Sequence, residues 1–321
     1  MSADTPAPAR PGIWRRFWTW LPNRVDRRII VAAWATLVVQ IGIVGTGGLV
    51  RLTGSGLGCP TWPQCTAGSF VPTPEQSYHS IIEFGNRALT FVLAVVAIAT
   101  FLLVLRLRRE RRDLFWLALL VGIGGITVLT HLNPYVVGLH FFASVPLVAI
   151  AAALVSRVYA APGPRVRAVP GWYAALAHVT SGLVLITVVV GILVTGSGPH
   201  AGDANAVRNG LNPGFMEHVH SWPAYATFAL TVVLFAGSWR TPATQRLRRW
   251  AGLLLLVEIA QIGVGLWQAR TGLPILLVNI HMVLAMLLVA AMTAVVMHLK
   301  ATAGAQPTHS RITDAASTVS G

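Results

Sequence analysis

The sequence predicts an all-α polytopic membrane protein, with eight transmembrane helices arranged as two tandem four-helix bundles related by a pseudo-twofold axis. Three observations lead there: a composition short of charge, apolar stretches of membrane-spanning length along nearly the whole chain, and a repeat that sorts those stretches into two matching sets of four. Of 321 residues, 55% are hydrophobic and 11% are charged, and the mean hydropathy is +0.66. Soluble domains carry roughly 25% charged residues, so water is not the main solvent of this chain.

The apolar stretches fall at 29–50, 80–105, 114–130, 136–159, 171–195, 214–238, 251–269 and 276–299. Each is near the twenty or so residues that a helix needs to cross a hydrocarbon core of about 30 Å. The third is the shortest. The first is too long for the apolar core of a cleavable signal peptide and no small-residue cleavage site follows it, so it is expected to remain as a helix.

Charge sets the orientation. The net charge of +14 could suggest a nucleic-acid partner, but its distribution points to membrane topology. Six arginines lie in 1–28, five in 106–112, three in 157–167 and four in 240–249, and the C-terminal tail adds Lys300 and Arg311. The alternate loops hold Arg51, Arg208 and Arg270, with Arg87 at the start of the second span. Both termini are therefore expected in the cytoplasm of a cell with a bacterial-type inner membrane, with lipid as the surrounding partner and no nucleic acid. The organisation that follows is a cytoplasmic tail over 1–28, a bundle over 29–159, a cytoplasmic linker over 160–170, a second bundle over 171–299 and a tail over 300–321. The tails are rich in Ala, Pro, Ser and Thr and are expected to be poorly ordered.

Both halves repeat the same landmarks. The first span leaves the membrane as GGLVRLTGSG (47–56) and the fifth as GILVTGSG (191–198). The second opens IIEFGNRALTF (81–91) and the sixth FMEHVHSWPAY (215–225), which aligns Glu83 with Glu217 and Asn86 with His220. The fourth carries LHFFASVPLVA (139–149) and the eighth IHMVLAMLLVA (280–290), which aligns His140 with His281. Each half has an even number of spans, so the copies run parallel, as in other membrane proteins built from tandem repeats.

Ionisable groups inside membrane helices are costly and mark functional sites. His220 and His281 enter from the same outer surface at similar depth, as an axial pair for heme iron would, against the plainer reading of two packing histidines. His218, two residues from His220, points to a different side of the helix and is expected to be a packing or surface residue. In the first half Asn86 replaces the histidine, and an amide is a poor iron ligand. That leaves His140 as the secure ligand and an open face on the iron, which suits chemistry better than electron storage. His79 shares a face with Glu83 and Asn86 and is a second-ligand candidate. Glu83 is the catalytic candidate, a carboxylate able to move protons or stabilise positive charge; at i, i+4 it can equally pair with Arg87. Arg87 can also hold a heme propionate. Cys59 and Cys65 lie in the first outer loop, where disulfides persist, although free or metal-binding thiols remain open. His200 and Asp203 in the TGSGPHAGD loop either contact propionates or face water, and Glu258 has no evident partner.

The run TGSGLGCPTWPQC, then IIEFGNR, LH, TGSGPHAGD, EHVH and NIH, in this order over about 29–299, resembles the heme A synthase family. The resemblance implies oxidation of the C8 methyl of heme O to the formyl of heme A for aa3-type cytochrome oxidase. It implies heme B on His220 and His281, substrate heme O on His140, Glu83 as the essential acid and a Cys59–Cys65 loop disulfide. Partners would include a heme O synthase and cytochrome oxidase assembly factors. The family commonly has Glu-x-x-His where this chain has Glu83-x-x-Asn86. The alternatives are a cytochrome b-type electron carrier and a heme or quinol transporter.

Overall fold

The computed structural model describes residues 12–128, 134–199, 209–241 and 245–303, of which 123–128 and 134–140 are described as backbone alone. In chain order the helices are α1 Ile13–Trp20, α2 Arg27–Leu52, α3 Tyr78–Leu105, α4 Arg112–Val128, α5 Pro134–Val158, α6 Gly171–Ser197, α7 Pro213–Arg240, α8 Gln245–Arg270 and α9 Ile275–Met297. Two short strands, β1 Arg165–Arg167 and β2 Lys300–Thr302, pair antiparallel. Among the described residues, seven helices are long and apolar enough to cross a membrane: α2, α3, α6 to α9, and α5 over Phe141–Val158. The eighth expected span corresponds to α4, whose 17 residues end where the described chain breaks off. The protein is a multi-pass membrane protein of all-α class.

The chain divides into two compact units, residues 1–158 with 200–207, and 159–199 with 208–321. In the first, α2 packs on α3, α3 on α4, α4 on α5 and α5 back on α2. In the second, α6, α7, α8 and α9 close the same ring in the same order. The internal repeat is thus a repeat of topology as well as of landmarks.

The helix starts follow from local chemistry. Asp26 caps α2, its side chain accepting from the Ile29 N–H at 3.2 Å. Asn212 caps α7, accepting from the Phe215 N–H at 3.0 Å, and Pro213 opens that helix where a missing N–H costs nothing. Between α8 and α9 the chain turns through Gly272 and Leu273, both with positive φ. So short a turn leaves α9 to run back along α8.

Burial runs inward. Half of the apolar window of α2 and of α9 is buried, against 17% in α6, α7 and α8, and large apolar side chains such as Val38, Phe91, Val95, Ile98 and Leu256 stand exposed on the outer faces. Lipid is the solvent for those faces. Inside, where helices in lipid gain little from burying apolar area, polar contacts and close approach hold them. Thr36 on α2 and Thr100 on α3 share a hydroxyl–hydroxyl bond of 2.9 Å, and Tyr173 on α6 donates to the Leu234 carbonyl on α7 at 3.0 Å.

The tails depart from expectation. Residues 13–20 of the N-terminal segment form α1, and Arg106 after α3 donates to the Leu21 carbonyl at 3.1 Å and to the Trp18 carbonyl at 3.4 Å. The segment IWRRFWTW is apolar and aromatic enough to fold against the charged end of α3, a signal outweighed by the overall polarity of the tail. Residues 300–302 form β2, which pairs with β1 in the linker, Arg165 opposite Thr302 and Arg167 opposite Lys300.

The Asp26 cap is testable. Burial pushes its carboxyl up, but the hydrogen bonds from Arg28 and Ile29 outweigh this and hold it below its usual value. Asp26→Ala is expected to lower the stability of the detergent-solubilised protein by about 1 kcal/mol at neutral pH. A depressed value means the stabilisation is present above the ordinary carboxylate range and lost as pH falls through the folded value. Thermal melts of both proteins should therefore converge in acid.

Candidate functional site

In unit 1 the outer loop is fastened to the start of α3. Cys59 and Cys65 form a disulfide, S–S 2.06 Å, which settles the choice between bridge and free thiols. Glu83, 7% exposed, is held on both oxygens: the Cys59 N–H donates to Oε2 at 2.8 Å and Arg87 Nη2 to Oε1 at 2.5 Å. Arg87 also donates to the carbonyls of Thr61 at 2.6 Å, Gln64 at 3.2 Å and Cys59 at 3.2 Å. The i, i+4 pair that the spacing left open is therefore formed, and both members hold the disulfide loop. The loop lies so close that a Cβ on Gly58 would stand 2.6 Å from the backbone of His79, so only glycine fits there. Ser80 Oγ donates to the Gly58 carbonyl at 2.5 Å. His79 Nδ1 lies 2.8 Å from Ser55 Oγ, and the His79 ring packs on Tyr78.

Deeper on α3, Asn86 accepts at Oδ1 from the Thr46 hydroxyl of α2 at 2.8 Å. His140 belongs to α5, but its side chain lies outside the described residues, as do His200 and Asp203.

In unit 2, His220 on α7 and His281 on α9 reach toward each other across the ring of helices, their ring centres 6.3 Å apart and their planes at 71°. A glycine backs each ring: a Cβ on Gly191 of α6 would stand 3.0 Å from Cε1 of His220, and one on Gly265 of α8 would stand 3.0 Å from Cε1 of His281. The backbone of Thr187 meets the His220 ring and that of Gln261 meets the His281 ring, each one helical turn before the backing glycine. Nδ1 of both rings is buried with no hydrogen-bond partner. Two imidazoles that share one metal at about 2 Å each have ring centres about 6 Å apart, so this pair fits heme iron. The residues backing the rings were not foreseen. The signal was the G-x-G step on α8, Gly263 and Gly265, which recurs as Gly122 and Gly124 on α4.

The family model described as COX15-CtaA, cytochrome oxidase assembly protein, matches residues 30–293. The chain belongs to the COX15-CtaA family. It is similar to the heme A synthase of Geobacillus thermodenitrificans, 27% identical over 128 residues covering 37% of this chain and 39% of that one. It is also similar to the heme A synthases of Bacillus pumilus, 34% over 137 residues (38% and 42%), and Exiguobacterium sibiricum, 33% over 135 residues (39% and 44%). The chain thus spans about two fifths of the length of the curated relatives it matches.

Within this family member the remaining polar residues differ in role. Glu217, the repeat counterpart of Glu83, is exposed, and His218 is also exposed, with Nδ1 2.8 Å from the Gly214 carbonyl oxygen. Glu258 is 3% exposed beside Thr231, with Oε2 unpartnered.

The loop contact at Gly58 gives a direct test. Gly58→Ala must push the loop off α3, and overpacking of this kind costs about 1–3 kcal/mol. The variant should melt at lower temperature and its disulfide should be reduced faster by a membrane-impermeant phosphine than in wild type.

Proposed function

We propose that the chain is a heme A synthase, oxidising the C8 methyl of heme O to a formyl group, with heme B in unit 2 and substrate heme O in unit 1. The observation that carries this reading is the asymmetry between two units of one topology. Unit 2 faces two imidazoles at metal-sharing distance, whereas unit 1 has an amide at the matched position and a clamped carboxylate above it. A pure electron carrier has no use for that difference.

In unit 2, His220 and His281 would hold the iron of heme B, with Nδ1 of each ring buried against its backing glycine and without a hydrogen-bond partner. Bound there, the heme supplies one-electron transfer. In unit 1, His140 holds the iron of heme O. Glu83 is the acid beside the substrate: turning a methyl into a formyl group, with water as the oxygen source and four electrons leaving to an external acceptor, releases four protons, and a carboxylate exchanging its bond to Arg87 or to the Cys59 N–H takes them up one at a time. Arg87 keeps that carboxylate and the loop together, which excludes water from the outer side. The Cys59–Cys65 loop acts as the cover of the substrate pocket. His79, bonded to Ser55, is less suited to the iron than it is to fixing the loop to the helix start.

The membrane is the bacterial-type cell membrane, with both termini cytoplasmic, since the inner loops carry most of the arginines. Heme O would arrive from a heme O synthase and heme A leave to cytochrome oxidase assembly factors.

Chromatography with mass detection of hemes, in membranes that supply heme O, tests the assignment at matched protein levels. Wild type should yield heme A or its hydroxylated intermediate. Glu83→Ala and His140→Ala should lose at least about a hundredfold of that conversion. Gly191→Leu, which drives a side chain into the His220 ring, should lower heme B retention about 10–100-fold. Untouched heme O in wild type that still holds heme B would replace the synthase by an electron carrier.

A further inference from the structure

The glycine contact that backs His220 in unit 2 has a counterpart in unit 1, and the two differ in a coordinated way. A Cβ on Gly47 of α2 would stand 3.7 Å from Oδ1 of Asn86 on α3. Aligning GGLV (47–50) with GILV (191–194) sets Gly47 on Gly191 and Thr46 on Val190. In this alignment the second unit has His220 and Val190 where the first has Asn86 and Thr46.

The threonine is not a neutral change. Its hydroxyl donates to Asn86 Oδ1 at 2.8 Å and also lies 3.3 Å from the Ile43 carbonyl. The amide oxygen is thereby committed to α2, and among the described residues nothing accepts from Nδ2. A carboxamide has one acceptor and two donor hydrogens at its nitrogen, so fixing the oxygen fixes the direction of a free donor. The side chain does not fit as a second iron ligand, because amide nitrogen does not bind iron as imidazole does and the oxygen is already engaged.

Resting on the reading of unit 1 as the heme O pocket, we propose that Asn86 is a hydrogen-bond donor over the open face of the heme O iron, oriented by Thr46, at the place where unit 2 supplies its second iron ligand. With Asn86 standing where unit 2 has a histidine, the position it faces is left free for a small exogenous ligand. The Nδ2 hydrogens stabilise partial negative charge on that ligand, as donors placed in advance of charge development do. Asn86 and Thr46 together would make one unit reactive while the other stays closed.

The test uses purified full-length protein from membranes supplying heme O, with carbon monoxide as the probe of the reduced hemes. Wild type should hold two hemes, one low-spin and inert to carbon monoxide, the other high-spin and reactive. Asn86→His should turn the second low-spin and weaken carbon monoxide binding at least about tenfold. Asn86→Leu should keep binding but shift the C–O stretch to higher frequency through loss of the donor, and Thr46→Val should shift it in the same direction while leaving the amide in place. If Asn86→Leu does not accumulate, Thr46→Val decides. Two low-spin hemes in wild type, or a stretch unmoved by the substitutions, would overturn the donor role. Wild type that converts heme O with two low-spin hemes overturns that role alone; a preparation with a single inert heme overturns the substrate-pocket reading with it.

Discussion

Close approach of helix backbones through glycine is the constraint on which unit 2 depends. In lipid there is no gain from burying apolar area between helices, and packing contact becomes the main source of cohesion. At Gly191 and Gly265 that contact is made by an imidazole edge rather than by another helix. A Cβ at either position would crowd the ring by a few tenths of an ångström, and a large side chain there would take the place of the ring. The glycine also leaves open the backbone one turn earlier, at Thr187 and Gln261. One missing Cβ therefore serves both to admit the ring and to give its outer nitrogen a neighbour.

Unit 1 solves a different problem with the same helices. Its central feature is the fastening of an oxidised loop to the first turns of α3 through Glu83 and Arg87. The carboxylate takes one bond from the loop backbone and one from the arginine, and the arginine passes three bonds back to loop carbonyls. Charge near the membrane surface is thus spent on a closed local network, which is how an ion pair with little exposure avoids the cost of desolvation. At the matched place unit 2 has Glu217, which is exposed and makes no side-chain bond among the described residues.

Much of this was readable in the residues. Apolar length located the helix ends to within two residues except at the start of α8, which begins at Gln245, six residues before the apolar stretch, because its first turn is rich in arginine. The i, i+4 spacing of Glu83 and Arg87 offered their pairing as one alternative, and the two cysteines in an outer loop pointed to their bridge. What could not be read were contacts between segments distant in the chain. The clamp of Arg87 on Thr61 and Gln64 depends on how the loop folds over α3, and the partnership of Thr46 with Asn86 spans forty residues. The strand pair β1–β2 joins a linker to a tail, and neither three-residue segment carries a periodic pattern of its own. Helix α1 was hidden by the polarity of the residues around it.

The pairing of β1 with β2 has a wider bearing. It brings the segment that leads into α6 alongside the segment that leaves α9, so unit 2 begins and ends at one spot. A module whose two ends adjoin can be copied in tandem, inserted or re-opened at another loop without disturbing its interior. Duplication of a single four-helix unit needs a building block of this kind, one whose own two ends the small sheet holds together.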